Sequence, residues 1–146
     1  MFFFKKKKIE EDLLKIHVKD IEEEFIVNKD IIINPLIEFL KKMSELEDNN
    51  STVEEYEKVV KTICSTNLIN KGYGKNKEKR YGYINKKCDI YFSMRKEDTA
   101  SVEIYYKENH LEKKEKFVFR KNNDKYELDN IYIGFSNKAE WKMFHL

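Results

Sequence analysis

From Cys88 onward, apolar residues recur at every second position. Cys88, Ile90, Phe92 and Met94 alternate with Asp89, Tyr91 and Ser93. Val102, Ile104 and Tyr106 alternate with Ser101, Glu103 and Tyr105, and Phe117 and Phe119 with Lys116, Val118 and Arg120. A period of two marks strands with one buried face. Tyr126 and Leu128 share a face, but Ile131, Ile133 and Phe135 continue on the opposite phase after Asp129-Asn130. One extra residue in a ladder is a bulge, so a bulge is predicted there. Polar turns are predicted at Lys96–Thr99, Lys107–Lys113 and Asn122-Asn123-Asp124. Strands joined by turns this short run antiparallel.

Before Gly72 the period is helical. Leu14, Val18, Ile21 and Phe25 predict an amphipathic helix over residues 9–25, with Glu10, Glu11 and Asp12 in its first turn. The alternation Leu14-Lys15-Ile16-His17-Val18 offers a strand as the competing reading. Phe25–Val27 and Ile31–Ile33 flank Asn28-Lys29-Asp30 as a tight hairpin or an extended linker. Asn34-Pro35 reads as a helix start, because Asn caps and Pro suits the first helical position. Leu36, Phe39, Leu40, Met43 and Leu46 then share a face, with a stop near Asp48-Asn49-Asn50. Two overlapping capping boxes, Ser51–Glu54 and Thr52–Glu55, open a helix carrying Val53, Tyr56, Val60, Ile63 and Cys64.

Helices first and a meander afterwards predict an α+β fold: N-terminal amphipathic helices packed on a curved antiparallel sheet. The 146 residues form one predicted domain. Residues 1–8 read as a frayed terminus, 9–68 as mainly helical, 79–135 as the sheet, and 136–146 as a tail whose Trp141, Phe144 and Leu146 pack back onto the body.

Composition narrows the class. With 40% hydrophobic residues, 10 Phe and 9 Tyr, the chain is too aromatic for an intrinsically disordered one. No apolar run is long enough to cross a bilayer, and Phe2–Phe4 precede Lys5–Lys8, the reverse of a secretory signal. Two cysteines, Cys64 and Cys88, fit no disulfide framework, so a cytoplasmic setting is expected with both as small buried hydrophobes. The net charge of +2 hides a split: residues 1–70 carry 11 basic and 15 acidic side chains, and residues 71–146 carry 18 and 12. Such a split suits two faces with different partners. Only 3 Arg stand beside 26 Lys, which weakens base-specific readout through bidentate arginine.

The run Lys116–Lys121, a polar turn, Lys125–Leu128 and Ile131–Ile133, following two helices, resembles the closing strand pair of the nuclear transport factor 2-like (cystatin-like) cone fold. Tyr126 takes the place of that family's usual aromatic after the turn, and the likeness covers roughly residues 35–135, without an obvious third helix. The resemblance implies a cone-shaped sheet in a family of isomerases, dehydratases, transport adaptors and toxin-neutralising immunity proteins, and fold alone does not choose among them.

Candidate chemistry falls into three groups. The acids Glu45, Glu47, Asp48, Glu54, Glu55 and Glu57 gather around helix ends and suit a basic protein partner, such as a toxin domain. The stretch Lys71–Lys87 holds seven basic residues against Glu78. Its Lys75, Lys77, Lys79, Arg80, Tyr81 and Tyr83 are candidates for contacting a partner or a phosphate chain. Asp89, Tyr91, Glu103 and Tyr105 lie on the polar phase of neighbouring strands. If turned into the cone they would form a pocket for a small molecule or for acid–base work. Each group also has a plainer reading, as a solvated face or ordinary strand packing. His17, His110 and His145 lack metal-ligand spacing, there is no Cys-x-x-Cys, and Gly72-Tyr73-Gly74 is not a phosphate loop. No motif implies a catalytic residue, cofactor or metal. The expected function is protein binding without catalysis, most concretely that of an immunity protein. A cone-interior small-molecule site and a nucleic-acid site at Lys71–Lys87 are the alternatives.

Overall fold

The computed structural model describes residues 13–73 and 80–144. Six strands form one open sheet in sequence order: β1 (Leu14–Ile21), β2 (Cys88–Lys96), β3 (Thr99–Glu108), β4 (Leu111–Asn122), β5 (Lys125–Phe135) and β6 (Lys142–Met143). β1 runs parallel to β2, and every later pair is antiparallel. The crossover from β1 to β2 carries these helices: a 3-10 turn over Glu23–Asn28, α1 (Lys29–Asp48), α2 (Val53–Val60), α3 (Thr66–Asn70) and a second 3-10 turn over Gly82–Asn85. They cover one face of the sheet, giving the expected α+β layers.

The meander follows the alternation. Cys88, Ile90, Phe92, Met94, Val102, Ile104, Phe117 and Phe119 are all buried against the helices. Asn109-His110 and Asn123-Asp124 have positive φ at both turn positions, the type I′ geometry that matches strand twist. The predicted bulge exists: Val118 pairs with Asn130 but Phe119 with Leu128, leaving Asp129 as the extra residue. It lets Leu128 and Ile131 both face the core. Leu128 also forms a parallel bridge with Cys64, fixed by Ser65 N–H to Leu128 O and Leu128 N–H to Ile63 O, both 2.8 Å. The segment after α2 is thereby clipped to β5.

The N-terminal third departs from expectation. Residues 14–21 are the strand β1, not part of a helix. A helix would set Ile16 opposite Leu14 and Val18, whereas a strand aligns all three beside Cys88, Ile90 and Phe92 and supplies β2 with a ladder. The sheet therefore takes in Leu14–Ile21 beside the predicted span 79–135. Phe25–Ile33 forms no hairpin. The chain winds from the 3-10 turn straight into α1, because Ile32 and Ile33 extend the buried stripe of Leu36, Phe39, Leu40 and Met43. Pro35 consequently sits inside α1 rather than at its start. Its missing N–H frees only the carbonyl of Ile31, a residue 62% exposed, where water meets it.

Helix ends follow local chemistry. α1 stops in a Schellman motif, with Ser51 N–H on Leu46 O, Asn50 N–H on Glu47 O, and Asn50 at φ 55°. The second of the two candidate capping boxes, Thr52 with Glu55, opens α2. A third helix, α3, is capped by Ser65, whose Oγ accepts from Leu68 N–H. The tail returns through β6, and Phe144 packs against the core. Residues 1–8 and Leu146 lie outside the described residues.

Candidate functional site

The structure separates the candidate residues into three places. Asp89, Tyr91, Glu103 and Tyr105 do come together, since Asp89 pairs with Tyr105 and Tyr91 with Glu103 across β2 and β3. They stand on the phase opposite Ile90 and Ile104, so they occupy the outer face of the sheet, away from the helices, and not a cone interior. β1 adds His17 and Lys19, which the sequence left out of this group. His17 lies 3.2 Å from Asp89 and stacks on Tyr91 at 4.8 Å. Tyr91 meets Tyr105 edge-to-face at 5.4 Å. The Tyr105 O–H donates to Glu103 at 2.8 Å, and Lys19 Nζ stands 3.5 Å from the same carboxylate. Burial, reinforced by Glu103, pushes the Tyr105 phenol above its ordinary range. A shallow depression of about 630 Å³ runs over Tyr91 and Tyr105, rimmed by Lys19, Lys86, Lys87 and Lys107.

Arg80, Tyr81 and Tyr83 are not a surface stretch. Tyr73, Tyr81 and Tyr83 are core residues: Tyr73 packs against Phe39 and Phe144, and the 3-10 turn at Gly82–Asn85 packs on α1 and β3. Arg80 Nη2 donates to Glu115 Oε1 at 2.7 Å, and Tyr106 O–H donates to Glu115 Oε2 at 2.7 Å. The guanidinium also lies 3.8 Å over the Phe144 ring, Tyr81 O–H donates to Tyr73 at 2.7 Å, and Tyr83 stacks on Tyr106 at 4.1 Å. Burial raises the Glu115 carboxyl, while Arg80 and Tyr106 draw it back down. Burial opposes the Arg80 charge, but Glu115 more than restores it and holds the guanidinium protonated. Two buried atoms lack a partner among the described residues, Arg80 Nε and Tyr83 Oη. A cavity of about 450 Å³ opens beside this pair, with Ile133, Phe135 and Lys138 on its wall. Lys75, Lys77 and Lys79 lie outside the described residues.

Glu47 leaves the acidic group as well. It is 6% exposed, and its carboxylate accepts the backbone N–H groups of Arg80 and Tyr81 at 3.0–3.1 Å. Buried backbone donors need such a partner where the chain leaves regular structure. Burial nevertheless raises the Glu47 carboxyl above its ordinary range. Glu45, Asp48, Glu54 and Glu55 remain exposed and Glu57 half-buried at the corner where α1 meets α2. Burial and then the charges of Glu47, Asp48 and Glu55 raise the Tyr56 phenol. Among the described residues only Glu45 meets a base, Lys42 at 4.0 Å.

The charge split of the sequence thus becomes spatial. Residues 23–60, which build the first 3-10 turn, α1 and α2, hold ten acids and four bases. On the outer sheet face, Lys19, Lys86, Lys87 and Lys107 gather around one depression. Both cysteines are buried and free, and burial pushes the Cys88 thiol up to about 12. No helix among the described residues is long and apolar enough to cross a membrane. No protein-family model matches the chain, and comparison with curated proteins and with solved structures finds no match.

Proposed function

We propose that this chain is a non-enzymatic protein-binding domain that docks through the acidic corner of α1 and α2. Its most concrete form is an immunity protein that covers the active face of a basic toxin domain. The observation carrying this reading is the set Asp48, Glu54, Glu55 and Glu57, exposed or half-exposed, without a basic neighbour within ion-pair range among the described residues, and mounted on two capped helix ends. Unpaired like charges on a rigid corner repel one another until a cationic surface meets them, and they speed encounter with it. The order of helices and meander, which resembles the cone fold, supports the same reading.

The test is affinity capture of a partner from host lysate, followed by association kinetics with Asp48→Lys/Glu54→Lys/Glu57→Lys. The expected result is an association rate at least tenfold slower at low salt, with unchanged thermal unfolding. An unchanged rate would overturn the reading. A second reading, a small-molecule site, has the 450 Å³ cavity beside Arg80 as its observation. It predicts ligand-induced protection of Arg80 and Tyr106 amides from exchange, which the corner variants would not alter.

A further inference from the structure

We infer that the outer face of the sheet is a platform for single-stranded nucleic acid, separate from the acidic corner. Three rings from three adjacent strands form one aromatic cluster on the helix-free face: His17 of β1 stacks on Tyr91 of β2, and Tyr91 meets Tyr105 of β3 edge-to-face. His17 is exposed and both tyrosines are half-exposed, so ring surface is open to a ligand. An unpaired base can stack on the ring surface the cluster leaves open.

The charge around the rings fits a phosphate chain. Lys86, Lys87 and Lys107 rim the 630 Å³ depression, are exposed, and pair with no carboxylate among the described residues. Asp89 is hydrogen-bonded to His17 and Glu103 to Tyr105, with Lys19 3.5 Å from Glu103, and the one further acid on the rim, Glu112, stands across from Lys107, so the lysines of the rim outnumber its acids. Both carboxylates hold rings in place through these bonds. The tyrosines of Lys71–Lys87 are buried and unable to stack on bases, so among the described residues this stretch contributes Lys86 and Lys87. An acidic peptide would answer the lysines but leave the three rings without flat partners. A duplex hides its base faces, so the rings select unpaired strands.

The experiment is fluorescence anisotropy of a labelled oligothymidylate with the full chain, over a salt series, with duplex DNA and polyglutamate as competitors. Three phosphate contacts give a log K against log salt slope of about −2.1, at about −0.7 per contact on a single strand. Lys86→Glu/Lys87→Glu is expected to bind at least tenfold more weakly, with a slope near −0.7. Tyr91→Ala is expected to lose about tenfold while keeping the slope, because stacking is salt-independent. Lys86 and Lys87 are exposed, so that variant remains informative if Tyr91→Ala unfolds. No binding at low salt would overturn the proposal. So would equal affinity of the lysine variant, equal competition by duplex, or equal competition by polyglutamate.

Discussion

Removing Glu115 isolates the effect of the buried ion pair. In Glu115→Leu, the Arg80 guanidinium loses its 2.7 Å partner and the Tyr106 hydroxyl loses its acceptor, both inside the protein. Breaking a buried pair from one side costs about 3–5 kcal/mol. The Arg80 side chain keeps 20% exposure and a Phe144 ring beneath it, so the lower end applies, about 3 kcal/mol. With a urea slope of about 2 kcal/mol/M, the midpoint falls by about 1.5 M. Arg80→Met/Glu115→Leu removes both charges. It is expected within about 1 kcal/mol of the parent, since the Coulomb gain and the desolvation cost leave together. The assay is urea unfolding of parent, both single variants and the double variant at neutral pH, read by far-UV circular dichroism. A loss below about 1 kcal/mol in Glu115→Leu, or a double variant as unstable as the sum of the singles, would refute the reasoning.

Other variants probe other devices. Burial raises the Glu47 carboxyl, so the folded state binds a proton more tightly than the unfolded chain. Stability from this group is greatest in acid and is lost as pH rises from the ordinary carboxylate range through the raised value. The stability difference between parent and Glu47→Gln should therefore shift against the parent over that rise, as measured by urea midpoints at several pH values. Gly134→Ala would place a Cβ 2.8 Å from Glu140 O, a backbone atom, so it should push the tail off β5. The only tryptophan, Trp141, sits with Lys114 Nζ 4.0 Å over its ring, so its fluorescence should report the release. Asp124→Gly relieves φ 66° in a type I′ turn and should raise the unfolding temperature, by about 0.5–1 kcal/mol of stability. Thr52→Ala removes the α2 cap and should cost about 1 kcal/mol in the same melts.

The sheet was legible because its period is unambiguous from Cys88 onward, and even the extra residue at Asp129 shows as a phase change. The first strand was not, because Leu14, Val18 and Ile21 satisfy helical spacing as well as Leu14, Ile16 and Val18 satisfy alternation. The choice is made by β2, which lies far along the chain. Pro35 misled for a related reason: local capping chemistry favoured a start there, and burial of Ile32 and Ile33 outweighed it. The ion pair did leave a signal. Glu115 stands on the same phase as Phe117 and Phe119, a charge on the apolar face of a strand. Arg80 is one of three arginines in a lysine-rich chain. The outer-face cluster was half visible, since Asp89, Tyr91, Glu103 and Tyr105 share one phase. Which side of the sheet that phase faces depends on where the helices dock.

The parallel pairing of β1 has a kinetic consequence. His17 and Asp89 touch across 72 residues of chain, whereas β2 to β5 close through short turns. Closing the longer loop costs about 2.5 kcal/mol more entropy than closing a hairpin of about four residues. The meander can therefore collapse early, with β1 added last. On a ribosome the first strand must wait until its partner has been synthesised and released from the exit tunnel. In the finished protein the same strand should be the first to let go, so its amides exchange with solvent before those of β3 and β4. The ring array spanning β1, β2 and β3 would then be assembled only in the last step of folding and be the first surface lost on partial opening.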